Sequence, residues 1–188
     1  MMKWVVAVGL CLYLAGCAVV PDYVAPPVDV LAMRNAPDIE QWYFEGRLAF
    51  ADGRDSFSAA ITWRHERETD QIELIAPLAQ GRVVISVLPD SVIIDDGDVR
   101  KEYRDDVDSV VYEQLNIAVP FSVLKYWLLG LVAPGVAFVD HEQGFFQNGW
   151  LVRYPEVLSL NSRLLPKKMS VDQDKTRIKL VVDRWELL

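Results

Sequence analysis

Apolar and polar residues alternate with a period of two over much of the chain from residue 44 onward. Phe44, Leu48 and Phe50 fall on one face, against Glu45 and Arg47 on the other. Asp52-Gly53 then supplies a hairpin turn. In the next strand Phe57, Ala59, Ile61 and Trp63 alternate with Ser58, Ala60, Thr62 and Arg64. Ile72 and Leu74 lead into Ala76-Pro77-Leu78-Ala79, and Val83 to Leu88 resumes the strand pattern. Pro89-Asp90 and Asp95-Asp96-Gly97-Asp98 bracket a short strand at Val92 to Ile94. Thus far the pattern predicts an antiparallel meander.

The period changes at Asp105. Val107, Val110, Val111 and Leu115 recur at helical spacing, with acidic residues in the first turn, where the helix dipole favours them. Pro120 suits the first position of a second helix, whose apolar stripe is Leu124, Trp127, Leu128 and Leu131 and which Gly130 or Pro134 ends. Strands return at Val136 to Val139, Phe145 to Gln147 and Trp150 to Tyr154, with Asn148-Gly149 as a type I′ turn signal. Met169 and Val171, then Ile178, Leu180 and Val182, complete the sheet. Ahead of all this, Val28 to Trp42 carries a weak helical pattern interrupted by Pro37. The layout predicts a mainly β, α+β domain: one antiparallel sheet whose apolar face is covered by a mid-chain helical pair. Strongly curved, such a sheet becomes an incomplete β-barrel with a helical lid. The pattern is compatible with side chains filling the space beneath the lid and equally with a cavity there.

The first residues change the picture. Lys3 and the apolar run Trp4 to Ala15 lead into Leu14-Ala15-Gly16-Cys17. The run is short for a bilayer span. The order resembles the lipobox of bacterial lipoproteins, which implies acylation of Cys17 and cleavage before it. Expected boundaries are a signal peptide at 1–16, a lipidated Pro-containing tether at 17–27 and a domain at 28–188. Cys11 falls within the signal, so no disulfide is expected inside the domain. The formal net charge of -8 argues against nucleic acid and against a polybasic grip on anionic lipid. By resemblance to enterobacterial sorting rules, Ala18 rather than Asp after the cysteine points to the periplasmic face of the outer membrane.

Gly46-Arg47-Leu48-Ala49-Phe50, the strand ending in Trp63 and the Pro77-Leu78 loop together resemble the LolB family of outer-membrane lipoprotein receptors. Further matches are Trp127-Leu128-Leu129-Gly130, Gln147-Asn148-Gly149-Trp150, Leu165-Pro166-Lys167-Lys168 and Arg177-Ile178-Lys179-Leu180 running to Trp185. The resemblance implies a hydrophobic cavity under the lid, and acylated lipoprotein cargo taken from a soluble periplasmic carrier, LolA, and inserted into the outer membrane. It also implies a membrane-inserting leucine in a strand-connecting loop, which falls on Leu78 after Pro77. The family usually has Gly where Ala79 stands.

On this basis Phe57, Ile61, Trp63, Val83 and Ile85 of the sheet are the candidate cavity wall, with Val111, Leu115, Leu124, Trp127 and Leu128 of the lid and Trp150. Ordinary core packing fits the same residues. Arg47 is a candidate to hold the lid closed through a lid carboxylate or carbonyl, against the plain alternative of a solvated strand arginine. The acidic residues around 95–108 lack metal-ligand spacing and read as solvated turns and a helix start, with a further role against a basic rim on the carrier in view. His65 and His141 sit beside turn-like polar residues and are expected to be exposed; neither Gly-x-Ser-x-Gly nor a nucleotide-binding loop occurs. A monomeric, cofactor-free, non-enzymatic receptor and chaperone is therefore expected, and a lipoprotein scaffold without a cavity is the alternative.

Overall fold

The computed structural model describes residues 30–77 and 81–188. A short helix α1 (Val30–Arg34) precedes six strands, β1 (Gln41–Ala51), β2 (Ser56–Glu66), β3 (Thr69–Ile75), β4 (Arg82–Leu88), β5 (Ser91–Asp95) and β6 (Arg100–Tyr103). Helices α2 (Val107–Leu115) and α3 (Phe121–Leu128) follow. Then come β7 (Phe138–His141), β8 (Gly144–Gln147), β9 (Trp150–Leu160), β10 (Arg163–Gln173) and β11 (Thr176–Leu187). The described strands form a single sheet in the order β6-β5-β4-β3-β2-β1-β11-β10-β9-β8-β7. Every neighbouring pair is antiparallel. β6 and β7 are left as unjoined edges, so the sheet is an incomplete barrel. The expected helix over 28–42 is corrected: among the described residues of that stretch only Val30–Arg34 is α-helical, and Trp42 lies buried in β1.

The period-two pattern does what it predicts on the inner face. Ile61, Trp63 and His65 of β2 stand opposite Leu74, Ile72 and Asp70 of β3, all of them buried. Trp42, Phe44, Trp63 and Trp185 pack together with ring centroids 5.1 to 6.5 Å apart. Trp63 and Trp185 keep their indole N–H groups satisfied inside this cluster, donating to Asp70 Oδ1 at 2.8 Å and to the Pro166 carbonyl at 2.9 Å. His65 corrects its expected exposure: it shares the inward register of Trp63 and lies buried, its Nδ1 2.7 Å from Asp70 Oδ1. His141 is exposed, as its neighbours suggest.

Irregular register bends the sheet. Between β1 and β11 it shifts at Glu45/Gly46, leaving Asp183 as the extra residue. A Cβ on Gly46 would lie 2.3 Å from the Val181 carbonyl oxygen, so this close approach demands glycine. A second irregularity runs from Pro166 to Ser170 in β10, where Lys167 turns its ammonium onto the Val182 carbonyl at 2.5 Å. Proline, with no amide hydrogen to give a ladder, is tolerated at such a point.

The outer face carries cross-strand ion pairs instead. Arg184 meets Glu45 at 2.6 Å, Lys168 meets Glu156 at 2.6 Å, and Arg82 pairs with Glu73. Arg153 and Arg177 both hold Asp172. Partial burial alone would raise the Asp172 carboxyl, but hydrogen bonds from Arg177 and Arg153 outweigh it and hold the group below its ordinary value. A depressed folded-state value means that this stabilisation is present above the unfolded carboxylate value, near 3.9, and is lost as the pH falls through the folded one. Solvent screens the two half-exposed arginines, so Asp172→Asn should cost about 1 kcal/mol at neutral pH. The cost should fall away as the pH drops through the folded-state carboxyl value, in denaturation midpoints followed across the acid range.

Candidate functional site

The two mid-chain helices lie against the inner face as a lid. Asp106 begins α2, its carboxylate accepting the Ser109 amide at 2.9 Å, and hydrogen bonds from Ser109 hold that carboxyl below its ordinary range. Asn116 closes the same helix in a left-handed conformation with φ 54°. Pro120 opens α3 without a side-chain cap, and Asp108 on α2 does that work from outside. Its two oxygens accept the Ser122 amide at 2.9 Å and the Ser122 hydroxyl at 2.6 Å. The two helices are thereby fastened to each other.

At its far end the lid is fastened to the sheet through Gln147 of β8, which is only 1% exposed. The Gln147 side-chain oxygen accepts the Trp127 indole N–H and the Ala133 amide, both at 2.8 Å. Its amide nitrogen donates to the carbonyls of Ala133 and Val136, both at 2.9 Å. The amide thus uses its full bonding capacity. Tyr154 of β9 adds a hydroxyl donated to the Trp127 carbonyl at 2.7 Å, and burial pushes that phenol well above its ordinary range, keeping it a donor. Gly130, at φ 78°, turns the chain where a Cβ would press on Met33 of α1.

Between lid and sheet lies a small void whose lining side chains are all apolar. The sheet contributes Leu48, Phe50, Ile61, Trp63, Ile72, Leu74 and Ile178. Ile117 and Val119 of the inter-helix connection cover it, with Phe121 and Leu124 of α3. Its volume is about 30 Å³, room for no more than a few water molecules. Side chains nearly fill the space beneath the lid.

Of the residues expected to wall a cavity, Ile61, Trp63 and Leu124 line this void. Ile85, Val111, Trp127, Leu128 and Trp150 are buried elsewhere in the same core. Val83 and Leu115 are half-buried at its margin, and Phe57 stacks on Phe50 at 5.3 Å while remaining 37% exposed. Arg47 is a correction: it makes no lid contact but bonds both oxygens of Asp183 on the outer face, at 3.0 and 3.3 Å. Its odd-numbered place in β1 turns it away from the lid, and the extra residue of the β1–β11 irregularity brings the carboxylate to it. Leu78 and Cys17 lie outside the described residues. Pro77 is exposed, and the Ala76 amide meets the Gly81 carbonyl at 2.9 Å across the neck of the loop between β3 and β4. That loop continues the strand bearing Leu74, a wall residue of the void.

Sequence reasoning gave Gln147, Tyr154 and the Asp108–Ser122 pair no role. Gln147 carried a signal, a polar residue on the inward register of an apolar strand, where an unpaired amide would be costly. The pairing of Asp108 with Ser122 depends on how the helices fold together and has no local signature.

Comparison with known proteins places this arrangement. The profile of a family described as "Outer membrane lipoprotein LolB" matches residues 40–185. An outer-membrane lipoprotein LolB from Nitrosococcus oceani is 30% identical, over 99% of this chain and 100% of the relative. One from Chromobacterium violaceum is 31% identical over the same shares. Among solved structures, a LolA superfamily protein from Nitrosomonas europaea matches with a TM-score of 0.53 at 9% identity, covering 87% of this chain and 94% of that one. That last likeness is one of fold.

Proposed function

This chain belongs to the LolB family of outer-membrane lipoproteins, and on that premise we propose that it is an acyl-anchored receptor at the periplasmic face. It takes acylated lipoproteins from a LolA-type carrier and delivers them to the outer membrane without nucleotide hydrolysis. The anchor is the acylated Cys17, followed by the tether to residue 27. The observation that carries this reading is the wholly apolar seam between lid and sheet.

The magnitudes fit a relay. Burying one methylene is worth about 0.8 kcal/mol, so one long acyl chain represents on the order of 10 kcal/mol. Cargo of that kind does not pass through water, and two apolar enclosures must meet mouth to mouth. A void of about 30 Å³ holds no acyl chain, so loading requires Ile117, Val119 and their neighbours to leave the sheet. An incoming chain then covers the apolar wall that those side chains uncover. Much of the gain from burying cargo is offset by parting the lid from the sheet, and such a receptor releases its load to a bilayer more readily than a preformed pocket does. Affinity differences, first carrier to receptor and then receptor to membrane, drive the sequence.

The test is a transfer assay with no nucleotide present. Carrier loaded with a triacylated lipoprotein is mixed with this protein and the two are separated. Cargo should be recovered mainly on this protein; cargo that stays on the carrier, or moves the other way, overturns the reading. The small void also favours a second reading, a lipoprotein scaffold without a cargo cavity. Displaceable one-to-one binding of a fluorescent apolar probe separates the two, because a scaffold binds none.

A further inference from the structure

The outer face of the sheet is ionic nearly everywhere, with Glu45–Arg184, Arg47–Asp183 and the Asp172 cluster spanning its middle strands. At β7 and β8 the same face turns apolar. Val139 stands opposite Phe146, and Phe146 opposite Leu151 of β9. Val139 is 67% exposed and Phe146 46%. Among the described residues, four of the eleven exposed large apolar side chains fall between 136 and 146, and of these Val139 and Phe146 share the outer face. The other edge strand, β6, is guarded by exposed Arg100, Lys101 and Glu102, as free edges in soluble proteins commonly are. β7 has no such run of charge.

The chain enters at the same hairpin, packing on its inner face behind this patch. Arg34, at the end of α1, pairs with Asp140 of β7, and its guanidinium sits 4.8 Å from the Phe138 ring centre. Cys17 precedes Val30 by thirteen residues, a reach of at most about 45 Å. A lipid on Cys17 therefore keeps the β7–β8 hairpin within one short tether of the bilayer surface.

We propose that the outer face of the β7–β8 hairpin, centred on Val139 and Phe146, is a lipid-contact surface that seats the tethered domain against the membrane. The inference rests on the acyl-anchored reading above. Contact is made through side chains in the headgroup layer, where water still serves the free edge of β7. The charged residues nearest in sequence, Asp140 and Glu142, are acidic, so attraction to anionic headgroups is not the driving force. A lone acyl chain holds a protein only marginally, and a second apolar contact both strengthens and orients the attachment.

The test uses the mature acylated chain on zwitterionic phosphatidylcholine–phosphatidylethanolamine vesicles. An environment-sensitive fluorophore is placed on Val139→Cys or, as a control, on Lys179→Cys of the ionic face, Cys17 being blocked by its lipid. The label at 139 should shift to shorter wavelength and be quenched by nitroxide lipids, and the label at 179 should not. In the unacylated Cys17→Ser background, the pair Val139→Ser and Phe146→Ser should weaken vesicle partition about tenfold, with little effect of salt. An unshifted label at 139 on protein that floats with the vesicles overturns the proposal, as does unchanged partition of the serine pair. Self-association that the serine pair abolishes also overturns it, assigning the surface to a second copy. Failure of the acylated chain to float, with no lipid mass on Cys17, counts against the anchor reading instead, and the unacylated arm still decides the patch.

Discussion

Leu78→Glu should leave the protein folded and able to take acylated lipoprotein from its carrier, while deposition of that cargo into vesicles falls to background. Two features locate the effect. The loop leaves the sheet between Ile75 and Arg82 through a neck closed by the Ala76–Gly81 hydrogen bond, so a charge beyond that neck disturbs no strand pairing. The strand feeding it carries Leu74, a wall residue of the apolar seam that cargo is proposed to enter. An apolar side chain in this place lowers the cost of bringing protein and bilayer together, and a carboxylate reverses the sign of that contribution. Measuring carrier-to-receptor transfer and receptor-to-vesicle transfer separately checks the split. A Leu78→Glu protein that deposits cargo normally removes Leu78 from the mechanism, and one that also fails to receive cargo moves its role to the earlier step.

Gln147→Leu should be the most damaging single change to the lid, lowering global stability by about 4 kcal/mol or more. Leucine matches the glutamine in bulk but strands the Trp127 indole N–H and the Ala133 amide and carbonyl inside the core, and frees the part-buried Val136 carbonyl. Each buried orphan costs about 1–3 kcal/mol. Denaturant titration gives the total, and amide hydrogen exchange gives the location. Residues 124–136 should lose protection well beyond that expected from the global loss. A drop below about 1 kcal/mol, or exchange unchanged in that segment, would show that the lid is held by apolar packing alone. Tyr154→Phe removes one hydrogen bond to the same helix and should cost roughly 1 kcal/mol by the same titration.

Much of the architecture is written locally in the sequence. Strands β1 and β2, each with one apolar side, are readable from alternation, and Asn148-Gly149 forms the two-residue turn its composition announces, at φ 52° and 82°. The lid helices follow from 3.6-residue spacing and from the acidic residues at the start of α2, among which the structure makes Asp106 the cap. Three things were not readable. β6 is charged and exposed, so it presents no alternation to detect. β10 begins at Arg163 but reads as strand only from Met169, because Pro166 resembles a breaker until the register irregularity around it is known. The wall of the void was only partly named, since inward orientation is local information but which inward residues meet the lid depends on where α3 crosses the sheet. Phe50, Leu74 and Ile178 belong to that wall for this reason, and Val83 and Trp150 do not.

The pairing of β1 with β11 bears on how the molecule comes into being. Trp42 faces Leu187 and Ala51 faces Arg177, so the central seam joins segments more than a hundred residues apart. The loop must close before that pairing returns any stabilisation, which places this chain among slowly folding topologies. A polypeptide emerging amino end first has no partner for one side of β1 until its last strand arrives. Until then the sheet is unfinished at its centre, and the chain can still be drawn out as a thread; only the arrival of β11 locks its two halves together.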